Sequence, residues 1–140
     1  MDKNKSLEVN NLGFTLIEII LVLTIISVII AIGVVSYSQV LITSRDSTRK
    51  TDVQKISNAL EQFKSNNNYG SYPDSVYDNP DLSIYISSIP TDPRTKNNYG
   101  YTPLPEGCTP SIDNPCTSYT LTAILEKGTE MYIINPYGEQ

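Results

Sequence analysis

The residues of this chain that could do chemistry gather in one short run, Gly13-Phe14-Thr15-Leu16-Ile17-Glu18, which continues as "IILVLTIISVIIAIGVVSY". Glu18 is the anomaly. No charged residue follows it until Arg45. An acid at the centre of a membrane helix costs roughly 2.5–3.5 kcal/mol, and less towards its end. Something must compensate Glu18, or leucine would serve better there. Catalytic groups are otherwise scarce. The chain has no histidine, the commonest general base and metal ligand. It has neither a nucleophile–base pair nor a glycine-rich phosphate loop. No enzyme, no cofactor and no metal site is expected. The acids Asp74, Asp78 and Asp81 are spaced like a solvated loop. Cys108 and Cys116 bracket "TPSIDNP". Two cysteines so placed, with prolines between them, fit a small disulfide loop in an oxidising compartment, the alternative being two free thiols.

The elements that must position these residues follow from hydropathy. Phe14 to Val35 is an apolar run of 22 residues (14 to 35), and about 20 span a bilayer as a helix. A cleaved secretory signal has a shorter apolar core followed by a small-x-small site, which this run lacks. Lys3 and Lys5 before the run, and Arg45, Arg49 and Lys50 after it, leave the orientation open. No proline occurs between Tyr37 and Pro73. "TSRDSTRKTD", Thr43 to Asp52, contains no apolar residue and reads as a solvated stretch of helix. Val53, Ile56, Leu60 and Phe63 then recur at spacings of three and four, the core face of a helix. "SNNNYGSYP" stops that helix.

The rest is a small head. "YGYT" at Tyr99–Thr102 is a strand candidate. "YTLTAIL" at Tyr119–Leu125 alternates, and "MYIIN" at Met131–Asn135 follows a glycine-containing turn, which predicts a hairpin. So small a sheet needs a partner, and the Val53/Ile56/Leu60/Phe63 face is the obvious one. Ten tyrosines against two phenylalanines make this a head of amphipathic rings. From residue 67 onward Asp74, Asp78, Asp81, Asp92, Glu106, Asp113, Glu126, Glu130 and Glu139 face only Arg94, Lys96 and Lys127. An acidic head excludes nucleic-acid binding through its surface. The expected class is α+β, a long N-terminal helix with a small antiparallel sheet packed on its C-terminal half. The expected divisions are a leader at 1–13, a transmembrane and filament-core helix at 14–37, an amphipathic half at 38–66 and the head at 67–140.

Gly13 to Glu18 with its apolar continuation resembles the cleavage and methylation motif of type IV prepilins and type II secretion pseudopilins. "NNNYGSYP" and "IPTDPRTKNNYGY" resemble later landmarks of that family. The resemblance implies cleavage between Gly13 and Phe14 by a membrane prepilin peptidase that also methylates the new Phe14 amine. It implies a single-pass subunit in the cytoplasmic membrane with its head outside, passed by an assembly platform protein into a helical homo-oligomeric filament at the cell surface or in the envelope. Glu18, four residues past Phe14, would pair with a neighbour's amine and favour one axial offset between subunits. Many members carry a proline late in the apolar run. Here "AIGVVSYS" offers only Gly33, which puts local melting of the helix in doubt. The TDP loop leans towards a secretion pseudopilin and the cysteine loop towards a pilin, with a DNA-uptake pilus as a further alternative. A membrane-tethered binding module, its tyrosines as contact surface, is the alternative of another class.

Overall fold

The computed structural model describes residues 13–128 and 130–139. The expected leader, up to residue 12, lies outside the described residues. Helix α1 runs from Leu16 to Asn66, and a 3₁₀ turn spans Pro80–Ile84. Strands β1 (Gly100–Leu104), β2 (Ser118–Ile124), β3 (Met131–Asn135) and β4 (Gly138–Glu139) form an antiparallel meander in that order. The class is α+β, as expected. The chain divides into two compact units, 1–38 and 39–140. In the first, none of the described side chains is buried.

The second unit has a core. Val53, Ile56, Leu60 and Phe63 are buried there with Tyr72, Val76, Leu82, Tyr119, Leu121, Ala123, Tyr132 and Ile134. Strand β2 alternates, Tyr119, Leu121 and Ala123 pointing inward, and pairs with β3 in the register Leu121↔Ile134 and Ala123↔Tyr132. Gly100 opens β1 opposite Thr122 because a Cβ there would lie 2.2 Å from the Thr122 Oγ1. Cys108 and Cys116 are joined by a disulfide, Cα to Cα 5.0 Å. The Tyr72 N–H donates to the Cys116 carbonyl at 2.9 Å, tying that loop to the segment after α1. At the end of α1 the Asn67 amide donates to the Phe63 and Ser71 carbonyls, and its Oδ1 accepts from the N–H groups of Tyr69 and Ser71. Gly70 then takes a φ of 60°, a left-handed conformation that glycine adopts without penalty.

The rings explain the choice of tyrosine over phenylalanine. Each buried phenol finds a partner. The Tyr119 and Ser57 hydroxyls share a hydrogen bond of 2.9 Å, and Tyr119 and Tyr72 both donate to Glu61 Oε1, at 3.2 and 3.0 Å. The Tyr99 hydroxyl donates to Asp52 Oδ2 at 3.1 Å, and that of Tyr101 to the Pro73 carbonyl at 2.6 Å. The Tyr72 and Tyr119 rings meet edge to face with centroids 4.7 Å apart. Burial pushes the Tyr119 phenol up to about 12 and raises those of Tyr72, Tyr99 and Tyr101, so all four remain neutral donors.

The stretch Thr43 to Asp52 corrects its sequence reading. It is helical, but only part of it is solvated, since Asp46, Arg49 and Asp52 are buried along one side. The Arg49 side chain, only 2% exposed, is surrounded by carboxylates. Its Nε donates to Asp92 Oδ2 at 2.6 Å, its Nη1 to Asp46 Oδ1 at 2.7 Å, and its Nη2 lies 2.8 Å from Glu126 Oε1. Asp46 accepts from the backbone N–H groups of Glu126 and Lys127 at 2.8 and 2.9 Å. Asp92 accepts from those of Arg94 and Thr95 at 2.8 and 2.7 Å. Arg45 clamps Glu126 at 2.8 and 2.6 Å. Charge without apolar residues reads as solvent exposure until a partner of opposite charge arrives from elsewhere in the chain.

These contacts set an acid limit. Hydrogen bonds from Arg45 and Arg49 hold the Glu126 carboxyl down at about 2, and the Arg49 guanidinium holds Asp92 well below the usual carboxylate range. For Asp46, burial works upward, but the N–H groups of Glu126 and Lys127 with Arg49 outweigh it and the net direction is down. A carboxyl depressed in the folded state is protonated first in the unfolded chain, so its stabilisation is complete above the unfolded value and is lost as pH falls through the folded one. Unfolding free energy is therefore level above pH 5 and falls between about 4.5 and about 2. Arg49→Met, which strands three carboxylates, costs about 3 kcal/mol at pH 7 and flattens that fall. Denaturant midpoints at pH 7, 4 and 3 for both proteins measure the two effects.

Candidate functional site

The site is the start of α1. Thr15 stands immediately before the first helical residue and Glu18 is the third residue within the helix. The Glu18 N–H donates to Thr15 Oγ1 at 3.3 Å, while the Thr15 N–H and Oγ1–H both donate to Glu18 Oε2 at 3.3 Å. This is a reciprocal capping box, in which N-cap and third residue satisfy backbone donors that the first turn leaves without helical partners. An acid also suits the positive end of the helix dipole. The compensation for Glu18 therefore begins within its own subunit. Glu18 Oε1 has no partner among the described residues.

Gly13 and Phe14 lie just before this cap. Phe14 is 81% exposed, and nothing lies within 4 Å of a Cβ built on Gly13. Gly13, Phe14, the N-cap and the acid are thus gathered at the start of the helix. The other residues singled out from the sequence belong to the second unit, Val53, Ile56, Leu60 and Phe63 in its core and Cys108 and Cys116 in their disulfide. Among the described residues no group of three metal-ligating side chains occurs. Thr15 was legible in the sequence as the first member of a Thr-x-x-Glu pattern.

Beyond the cap, α1 is long and apolar enough to cross a membrane by length and composition. Its few hydroxyls turn back on the helix. Thr24 Oγ1 donates to the Leu21 carbonyl at 2.7 Å, Ser27 Oγ to that of Leu23 at 2.6 Å, and Ser36 Oγ to that of Ile32 at 3.4 Å. A hydroxyl satisfied in this way tolerates an apolar surrounding. The helix continues through Gly33 without a break.

Residues 9–34 match the family model described as the prokaryotic N-terminal methylation motif. That motif is the signal of type IV pilins and pseudopilins, and the chain carries it. No curated protein and no solved structure matches the chain. The match covers the apolar helix and its lead-in, not the head.

Thr15→Val retains β-branching and one donor, the backbone N–H, but removes the hydroxyl half of the box. An N-cap hydroxyl contributes about 1 kcal/mol, so the Glu18 amide exchanges its proton about fivefold faster in the variant. Amide exchange followed by NMR in zwitterionic micelles reads this, with amides of the third and later turns as the unchanged reference.

Proposed function

We propose that this protein is a structural subunit of a type IV pilus-like filament. In this reading a prepilin peptidase cuts between Gly13 and Phe14 and methylates the new amine. The subunit is held in the cytoplasmic membrane by α1 with its head outside, and an assembly platform protein passes it into the filament. The observation that carries the reading is the coincidence, at residues 9–34, of the methylation motif with an exposed apolar helix whose single acid is capped four residues after the scissile bond. The role is structural rather than catalytic.

The two oxygens of Glu18 divide the work. Oε2 serves Thr15 of the same chain. Oε1 is left for the Phe14 ammonium that cleavage creates on a neighbouring copy. An unpaired carboxylate in an apolar filament interior costs several kcal/mol, and pairing relieves most of that. Subunits would thus settle at the axial offset that brings one ammonium to one carboxylate. Disulfide formation between Cys108 and Cys116 agrees with a head outside the cytoplasm, where such bonds persist.

Intact-mass measurement of the mature protein should find N-methyl-Phe14 as its first residue. An N-terminus at Met1, or after residue 30, would remove the basis of the reading. Two variants separate the duties of the acid. Glu18→Gln retains an acceptor for Thr15 but has no charge, and Glu18→Ala has neither. Both should insert into the membrane and be processed, and both should assemble at well under a tenth of the wild-type yield, since a buried charge pair is worth more than the roughly 1.4 kcal/mol that a tenfold change requires. Wild-type assembly by Glu18→Gln would assign the acid to capping alone.

A further inference from the structure

Beyond the C-terminal end of α1, the turn at 67–70, the 3₁₀ turn and the disulfide loop enclose a groove of about 340 Å³. Tyr69, Tyr85 and Ile84 give it ring and aliphatic surface, and Asn68, Asn79 and Asp81 give it polar groups. Tyr69 is 51% exposed and Ile84 76%. The Tyr85 ring is set edge-on against buried Phe63, centroids 6.3 Å apart, which fixes its orientation. Few of the polar groups are spent. Asn79 Oδ1 accepts the Asp81 N–H at 3.0 Å and so caps the 3₁₀ turn, leaving its NH₂ without a partner among the described residues. The Asn68 amide, the Asp81 carboxylate and the hydroxyls of Tyr69 and Tyr85 have no partner among the described residues. No lysine or arginine lines the groove, and Asp81 is its one charge.

This combination selects a ligand class. Aromatic and aliphatic surface calls for a C–H face. Unspent donors beside unspent acceptors call for a rim of groups that both donate and accept, which hydroxyls do. A lone carboxylate without a base turns away phosphate and carboxylate. We propose that the groove binds a neutral saccharide unit, a pyranose that lays one C–H face on the tyrosine rings while its hydroxyls meet Asn68, Asn79 and Asp81. The volume lies near the small end of ligand pockets, roughly 300 to 1,000 Å³, and suits one or two sugar rings. Rings with two torsions lose little entropy on binding. A single site of this kind is weak. If the head is repeated along a filament, as proposed above, many weak sites act together.

The test is a glycan array probed with the full-length protein in zwitterionic, sugar-free micelles, the bound glycans then being titrated by saturation-transfer NMR. The array carries neutral hexose and N-acetylhexosamine glycans and the same glycans ending in sialic or uronic acid. Neutral glycans should bind, with acidic ones at least about tenfold weaker, a difference of roughly 1.4 kcal/mol. Tyr69→Ala should weaken binding about tenfold or more, Tyr69→Phe should remain within about threefold of wild type, and Asp81→Asn should admit the acidic glycans. Tyr69 is exposed, so none of these variants threatens the fold. The proposal is overturned if no neutral glycan is held at millimolar concentration, if acidic glycans are preferred, or if Tyr69→Ala binds as wild type does. It is also overturned if assembled filaments lose the binding, because the groove is then a contact between copies. The array and NMR readouts on the full-length protein do not depend on the mature N-terminus, so failure of the saccharide site is distinguishable from failure of the filament reading.

Discussion

Arg49 is the side chain on which the head depends. A small sheet cannot bury enough apolar surface to hold irregular segments in place by packing alone. The loop around Asp92 and the turn between β2 and β3 are both irregular, and both are fixed by the same guanidinium. A fork of five donors can meet three carboxylates at once, which a lysine ammonium cannot do with comparable directionality. Each acid in turn accepts from elsewhere, Asp46 and Asp92 from backbone N–H groups and Glu126 from Arg45. Loops otherwise free to sample many conformations are thereby bound to one turn of helix. Buried charge is often a poor source of stability because desolvation offsets attraction. Here the acids gain enough hydrogen bonds to lie below their ordinary range, which places this cluster on the favourable side.

The polar layer continues down the same helix. Asp52 accepts from the hydroxyl of Tyr99, Glu61 accepts from those of Tyr72 and Tyr119, and Ser57 pairs with Tyr119. The head is thus secured to α1 by an apolar stripe with a ladder of directional bonds beside it. Burial alone would allow the sheet to slide along the stripe. The ladder fixes its position, because each phenol meets its partners on the helix at one register only.

Much of this was legible in the sequence, and the exceptions share a cause. The alternation from Tyr119 to Leu125 and the run from Met131 to Asn135 specify the hairpin because a period of two has one structural meaning. Val53, Ile56, Leu60 and Phe63 specify a helix face in the same way. Arg49 lies four residues before Val53 and thus extends that face, but its type argues for solvent. Its partner Asp92 is 43 positions away, and Arg45 finds Glu126 across 81. A local pattern carries no information about a partner so remote. Strand β4 has no signature in the sequence because two residues are too few to show alternation. The motif that begins at Gly13 was legible as a methylation motif, which the family match at residues 9–34 bears out. Its capping geometry was legible too, in the Thr-x-x-Glu spacing, and needed only the position of the helix start.

The hydroxyls of the apolar helix have one more consequence. Thr24, Ser27 and Ser36 spend their protons on carbonyls of their own helix. From Ile19 to Val34 the outer surface consequently presents mostly methyl and methylene groups, with no side-chain hydrogen-bond donor to offer a neighbour. Two such cylinders side by side gain contact area at almost any relative rotation and shift, so their mutual energy is nearly flat in both coordinates. On so featureless a rail, one carboxylate at the end would be enough to act as a notch in the filament proposed above.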